Sequence, residues 1–201
     1  MPPRNGQERL EARRARLERH AAESDPAVVM TAAARYLELR PRSVVEVRRH
    51  LLRAAFPEPL VERTLERLQE LGILDDRAFA KAWVESRDRA KPRGQVALRR
   101  ELALKGIDRD MTAAVLAERN SAAAADEADD PDLYGRSPDA RAAERLLEKN
   151  RGALGRIEEL RARRNRAYAI LARNGFDPEV CREVSSRFVE PSDDTGDDPD
   201  A

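Results

Sequence analysis

The stretch Val47-Arg48-Arg49-His50-Leu51-Leu52-Arg53-Ala54-Ala55-Phe56 is written three times in this chain. It returns as Leu98-Arg99-Arg100-Glu101-Leu102-Ala103-Leu104-Lys105-Gly106-Ile107, and again as Ala167-Tyr168-Ala169-Ile170-Leu171-Ala172-Arg173-Asn174-Gly175-Phe176. Leu51, Leu102 and Leu171 correspond, as do Phe56, Ile107 and Phe176. A second helical pattern follows each copy, with Leu60, Met111 and Val180 in register, then Thr64, Val115 and Val184. A unit of about 50 residues that repeats itself points to an array of small helical modules. Such an array presents a long surface, and long surfaces suit large partners.

Composition agrees. Charged residues make up 38% of the 201 residues and aromatics only 4%. That is too little apolar material for one large core, but it suits several small ones with solvated outer faces. Alanine, leucine, arginine and glutamate dominate, all good helix formers. Runs of alternating β-branched residues are absent, so almost no sheet is expected. The expected fold is all-α: three tandem three-helix, helix-turn-helix-like modules in an elongated array.

Residues 1–25 are rich in arginine and glutamate, with Leu10 and Leu17 nearly the only large apolar side chains, and read as a mobile N-terminal segment or a marginal solvated helix. The first module spans 26–74. Its first helix carries Val29, Ala33, Tyr36 and Leu37. Ser43 with Glu46 three residues later is a capping-box pattern for the second helix. The third helix starts near Pro57-Glu58-Pro59 and ends at Gly72, with Ile73 folding back onto the last turn. The second module spans 75–120, with Asp75 or Asp76 capping a helix that carries Phe79, Trp83 and Val84. Gly106-Ile107 and Gly175-Phe176 resemble left-handed helix stops with an apolar contact, and Asp108 or Asp110 and Asp177 can open the helices that follow. An acidic linker, into which a helix end can extend, is expected at 121–138, a third three-helix module at 139–189 and a disordered acidic tail at 190–201. The repeat step grows from 51 residues to 69 across the linker, so the extra length falls there and in Arg151 to Glu159.

The net charge is zero, yet the signs are segregated. Phe79 to Gly106 holds eight basic residues (Lys81, Arg87, Arg89, Lys91, Arg93, Arg99, Arg100, Lys105) against Glu85, Asp88 and Glu101. The tail holds six acidic residues and no basic one. Lys81, Arg87, Arg89, Lys91, Arg93, Arg99 and Arg100 are therefore the candidate partner-binding residues, since arginine in particular binds both phosphate and carboxylate well. Phe79 and Trp83, four apart, share a helix face that reads as core before it reads as a base-stacking platform.

Chemistry has few candidates. His20 and His50 lie in different segments with no cysteine near either, so no metal site is expected. Phosphate-binding and dinucleotide-binding glycine motifs are absent. The serines sit at caps or in linkers, away from an activating histidine. No cofactor and no catalytic residue is expected, and the chain reads as a non-enzyme. Cys181, the single cysteine, sits beside Val180 and Val184 and reads as a small core residue. No apolar stretch approaches the ~18 residues of a membrane span, and no hydrophobic signal region opens the chain. A soluble, cytoplasmic monomer without membrane contact is expected.

The stretch Leu71-Gly72-Ile73-Leu74-Asp75-Asp76-Arg77-Ala78-Phe79-Ala80-Lys81-Ala82-Trp83-Val84-Glu85-Ser86-Arg87 resembles the signature of the RecX regulatory proteins, as does Leu98 to Ile107. The first module, with Ser43, Glu46, Val47, Arg48, Leu51 and Phe56, looks like that family's opening repeat. The third resembles it through Leu171, Gly175, Phe176 and Val180. Two departures stand out: Ala55 replaces the glycine common before Phe56, and the acidic linker and tail are longer than usual. The resemblance implies three-helix repeats that lie along the groove of the RecA–DNA filament, restrain its ATP hydrolysis, strand exchange and coprotease activity, and so regulate DNA repair. The seven candidate residues would then contact the RecA filament, with DNA backbone as a further partner. Two other readings stay open from the residues themselves: a stand-alone helix-turn-helix-like DNA-binding protein, and a general helical protein adaptor.

Overall fold

The computed structural model describes residues 25–129 and 136–189, with Gly6, Glu11, Ala12 and Ala15. Most of the N-terminal segment, residues 130–135 of the acidic linker and the acidic tail lie outside the described residues. Among the described residues every regular element is an α-helix: α1 (Pro26–Glu38), α2 (Val44–Arg53), α3 (Glu58–Glu70), α4 (Asp76–Ala90), α5 (Gln95–Leu104), α6 (Arg109–Asp129), α7 (Pro138–Lys149), α8 (Arg151–Gly155), α9 (Leu160–Arg173) and α10 (Pro178–Val189). Two compact units divide them. One is Met1–Ala82 with Leu102–Thr112, the other Trp83–Glu101 with Ala113–Ala201.

The repeated phrase has a physical cause. In each copy a helix ends in a Schellman turn, in which two amides beyond the last turn bond back to orphan carbonyls. Phe56 N–H donates to Leu51 O at 3.3 Å and Ala55 N–H to Leu52 O at 2.9 Å. Ile107 and Gly106 repeat this on Leu102 and Ala103, at 3.1 and 2.9 Å, and Phe176 and Gly175 on Leu171 and Ala172, at 3.4 and 3.0 Å. The recurring leucine and the recurring Phe or Ile are the two apolar residues such a turn brings together. Leu51, Leu102 and Leu171 are each 0% exposed, and Phe56, Ile107 and Phe176 each 4%. The residue between them must take a left-handed backbone. Gly106 (φ 83) and Gly175 (φ 77) do so freely, whereas Ala55 (φ 68) bears the strain of its Cβ.

Caps fix the helix starts. Ser43 Oγ accepts from Glu46 N–H at 3.2 Å while the Glu46 carboxylate accepts from Ser43 N–H at 3.4 Å, a complete capping box. Asp75, not Asp76, caps α4 by accepting from Arg77 and Ala78 N–H at 2.8 and 3.0 Å. Asp108 caps α6 through Met111 N–H at 2.8 Å, and Asp177 caps α10 through Glu179 N–H at 2.9 Å.

Within the first unit, Val29, Ala33, Val47, Leu51, Phe56, Leu60, Val61, Leu65, Leu68 and Leu74 form one apolar core. Within the second, Ala143, Leu147, Leu154, Ala167, Leu171, Phe176, Cys181 and Val184 form another. Each buried leucine stabilises by about 1.5–3 kcal/mol relative to exposure. Three details correct or sharpen the sequence expectation. Gly72 does close α3 (φ 66), but Ile73 points out at 55% exposure and Leu74 takes the core position. Both the Ile73 and Leu74 amides bond to Leu68 O, which carries the chain one residue further before it turns inward. Helix α6 continues to Asp129, through the alanine-rich start of the stretch read as linker, because alanine is the strongest helix former. The third module holds a fourth, five-residue helix, α8, in the Arg151–Glu159 insertion.

Each unit also contains one joint between successive modules. In the first unit the start of α2 meets the start of α4 and the end of α5. Val44 N–H donates to Asp76 Oδ1 at 2.9 Å, Ser43 Oγ–H donates to Lys105 O at 2.6 Å, and Lys105 Nζ pairs with Glu46 at 2.8 Å. In the second unit the start of α5 meets the start of α7 and the end of α9. Gln95 N–H donates to Asp139 Oδ2 at 2.9 Å, Gly94 N–H donates to Asn174 O at 3.1 Å, and the Arg93 guanidinium bonds the Asn174 side chain. The orphan amides at a helix start thus find acceptors on the next module. A methyl group on Gly94 would lie 2.2 Å from Gly175 O, so main chain meets main chain here.

Candidate functional site

The structure sorts the seven sequence candidates into three groups. Lys81 lies in the first unit, exposed on its stretch of α4. Arg87 and Arg93 lie in the second unit and are engaged. Glu101 accepts from Arg87 Nε at 2.7 Å and from Trp83 Nε1 at 2.9 Å, and its other oxygen pairs with Arg93 at 3.3 Å. The Arg87 guanidinium also lies 4.1 Å from the centre of the Trp83 ring, a cation–π contact. This node ties α4 to α5, and Arg93 extends it to the end of α9. Trp83 is thereby half-buried and its ring face is covered, which removes it as a stacking platform.

Arg89, Lys91, Arg99 and Arg100 are exposed, and their side chains form no ion pair with any described residue. Arg89 stands in the last turn of α4, Lys91 just follows that helix, and Arg99 and Arg100 stand on the outer face of α5 with exposed Val96, opposite buried Leu98. These four are the second unit's solvated positive charges around the α4–α5 turn. The pairing of Arg87 and Arg93 was not legible in the charge count, although Glu101, the one acidic residue in α5, was its signal.

A second basic surface was not among the sequence candidates. Helix α9 carries Arg161, Arg163, Arg164, Arg166 and Arg173 and no acidic residue. Its signal in the sequence is composition alone: five arginines and no acidic residue within one helix. Arg119 in the same unit is structural by contrast. Arg119, 9% exposed, is held by Asp88 at 2.9 Å and Asp139 at 2.6 Å. Burial opposes its charge, but the hydrogen bonds it donates to both carboxylates, with their negative charges, outweigh that and raise its pKa.

At the first joint Asp76 and Glu46 shift in opposite directions. Burial pushes the Asp76 carboxyl up, against the Val44 amide bond, and neighbouring Asp75, Asp108 and Glu46 push the same way. Glu46 is also disfavoured by burial, but the bonds from Lys105 and the Ser43 amide, with the charges of Lys105 and Arg40, bring it below its usual value. On the first module a groove of about 690 Å³ opens between α1 and α2, where Tyr36 stacks on His50 at 3.9 Å. Cys181 is fully buried, with its thiol pKa pushed up by that burial, as expected of a core residue. Among the described residues no cluster of His, Cys, Asp and Glu is arranged to hold a metal ion, and no helix is long and apolar enough to cross a membrane.

Helical repeats capped by Schellman turns and studded with solvated arginine define an all-α protein of tandem three-helix modules. Residues 30–68 match the first three-helix domain of RecX and residues 75–116 the second. The chain is 33% identical over 167 residues to the regulatory protein RecX of Chlorobium phaeobacteroides (strain BS1), a match spanning 81% of this chain and 95% of that one. It is 32% identical over 150 residues to the regulatory protein RecX of Mycobacterium sp. (strain JLS), spanning 75% of each. The crystal structure of RecX from Lactobacillus salivarius shares the fold, with a TM-score of 0.64 at 19% identity, over 81% of this chain and 95% of that one. The chain belongs to the RecX family of regulatory proteins.

Proposed function

We propose that this protein, as a cytoplasmic monomer, binds a RecA–DNA filament and restrains its ATP hydrolysis, strand exchange and coprotease activity, regulating DNA repair without catalysing a reaction itself. The observation that carries the reading is the match along 95% of a regulatory RecX protein, taken with what the RecX signature implies. A chain of modules can touch several protomers of a filament. Weak contacts then act together, because each raises the effective concentration of the next. A bound array occupies space that incoming duplex or a repressor substrate would need.

Arg89, Lys91, Arg99 and Arg100 are the residues we assign to electrostatic contact with the filament, and Lys81 to a separate contact from the first unit. Arg87 and Arg93 act as positioning residues through Glu101. The test is RecA ATPase on single-stranded DNA with this protein titrated in. The wild type should slow turnover. Changing Arg89, Lys91 and Arg99 to glutamate should weaken that effect at least ~10-fold with the helical circular dichroism intact, and added salt should weaken it too, since exposed charges are screened over about 8–10 Å. An unchanged effect from the folded triple variant would move the contact elsewhere. Equal affinity for bare DNA with a steep salt slope would instead favour a stand-alone DNA-binding protein.

A further inference from the structure

The arginines of α9 pose a question that the filament reading leaves unanswered. Arg161, Arg164 and Arg166 are exposed and form no ion pair with a described residue. Arg163 uses its Nε on Ile157 O at 2.9 Å. The ion pairs around them are made by other arginines: Arg136 and Arg187 with Glu144, Arg187 with Glu183, and Arg151 with Glu148. Arg161 and Arg164 are neighbours on the helix surface, as are Arg163 and Arg166, and like charges three apart repel. Glu158 and Glu159 stand just before the helix, yet its first two turns carry four arginines, an excess of positive charge that an anionic ligand would relieve.

The chain carries such a ligand in the residues that follow α10. Residues 190–201 hold Glu190, Asp193, Asp194, Asp197, Asp198 and Asp200 and no basic residue. They begin where α10 ends. There the Phe188 ring lies 4.9 Å from the Arg151 guanidinium, at the start of α8. From Arg151 the chain runs through α8 and Arg156 into α9. Ten residues with one helical turn among them can place Arg161 no farther than roughly 27 Å away. Twelve residues of extended chain reach about 40 Å, enough for the acidic residues at the far end of the segment to meet the start of α9.

We infer that the arginine face of α9 is a binding surface for an acidic peptide, and that in the free protein its occupant is the chain's own segment 190–201. Tethering gives that segment an effective concentration on the order of millimolar, so any external polyanion must displace it. The contact is electrostatic and weakens with salt.

The test uses the full chain. Ser192→Cys places a nitroxide label in the segment, while Cys181 stays buried and unlabelled, as the wild type treated in parallel will verify. The amides of Arg161 to Arg166 should broaden in NMR spectra at low salt and recover near 1 M salt. They should also recover when Asp193, Asp194, Asp197, Asp198 and Asp200 are changed to Asn, a variant that leaves α9 untouched. A fluorescein-labelled polyglutamate should bind the chain lacking 190–201 about 10-fold more tightly than the full chain, and the gain should vanish with Arg161, Arg164 and Arg166 changed to Gln. Unbroadened α9 amides, or unchanged polyglutamate affinity on removing the segment, would overturn the inference. So would broadening confined to residues 89–100, or broadening that appears only when labelled and isotope-enriched molecules are mixed, which would mark a different surface or a second copy.

Discussion

In the first unit Ser43 gives its hydroxyl proton to the Lys105 carbonyl; in the second Gly94, 51 residues further on, gives its amide to the Asn174 carbonyl. Val44 and Gln95, also 51 residues apart, each donate an amide to a carboxylate, Asp76 and Asp139. The two joints share donor and acceptor positions but differ in what fills the space. The first is spanned by a side chain and reinforced by the Glu46–Lys105 pair at 2.8 Å. The second closes down to bare backbone at Gly94 and adds the Arg93–Asn174 contact. What the modules repeat is therefore the main-chain geometry of the joint, with side chains chosen to suit the gap.

The harshest way to break this comparison is Gly94→Ala. Its new methyl group would fall 2.2 Å from Gly175 O and 2.4 Å from Phe176 Cα, both backbone atoms with no rotamer to escape into. A loss of about 3 kcal/mol is expected in urea unfolding. Ser43→Ala, at the equivalent place, removes a cap and the bond to Lys105 but makes no clash, and should cost about 1–2 kcal/mol. If the two losses come out in the reverse order, the second joint is not closed on backbone.

Ala55→Gly tests the Schellman turns instead. Ala55 holds at φ 68 the position that Gly106 and Gly175 occupy. Relieving its Cβ should raise stability by about 1 kcal/mol, less the extra freedom glycine has when unfolded. Thermal melts that show a loss of about 0.5–1 kcal/mol, the full entropic penalty of glycine, would mean that Ala55 is unstrained.

The smallest effect is electrostatic. Glu46 is shifted below its ordinary value of 4.5, so the stability it contributes is present above pH 4.5 and is lost as pH falls through the lower folded-state value. Glu46→Gln should therefore melt earlier than wild type at pH 7, and the gap should close as the pH drops below 4.5. Asp76, shifted up, runs the other way: its contribution is present below its unfolded value and lost as pH rises through the folded one. Asp76→Asn should accordingly cost least, or even stabilise, at neutral pH. A gap between Glu46→Gln and wild type that stays constant from pH 7 to pH 3 would remove Glu46 from the joint's electrostatics.

Much of the fold was legible because it is written locally. The leucine and the Phe or Ile of each Schellman turn are five residues apart, and the Ser43–Glu46 box three, so a reader of the chain meets both partners together. The joints were not legible, because their partners lie far apart in the chain and at least one side of each bond is a backbone amide or carbonyl that every residue carries, as in Val44 N–H to the Asp76 carboxylate and Gly94 N–H to Asn174 O. The basic surface around Arg89 to Arg100 was visible as charge, but charge alone did not separate Arg87 and Arg93, consumed by Glu101, from their exposed neighbours. Ile73 and Leu74 were confused because both can follow a glycine stop, and only packing decides which turns inward.

The joints also say something about descent. A connection made by amides, carbonyls and one carboxylate asks little of the residues around it. Once it formed, each copy could change most of its letters without losing its hold on the next. The three phrases share only a leucine, an apolar anchor and a backbone that can turn left, and Ala55 shows that even the last of these can drift to a strained substitute. Kinship between the copies is kept in their geometry after most of their spelling has gone.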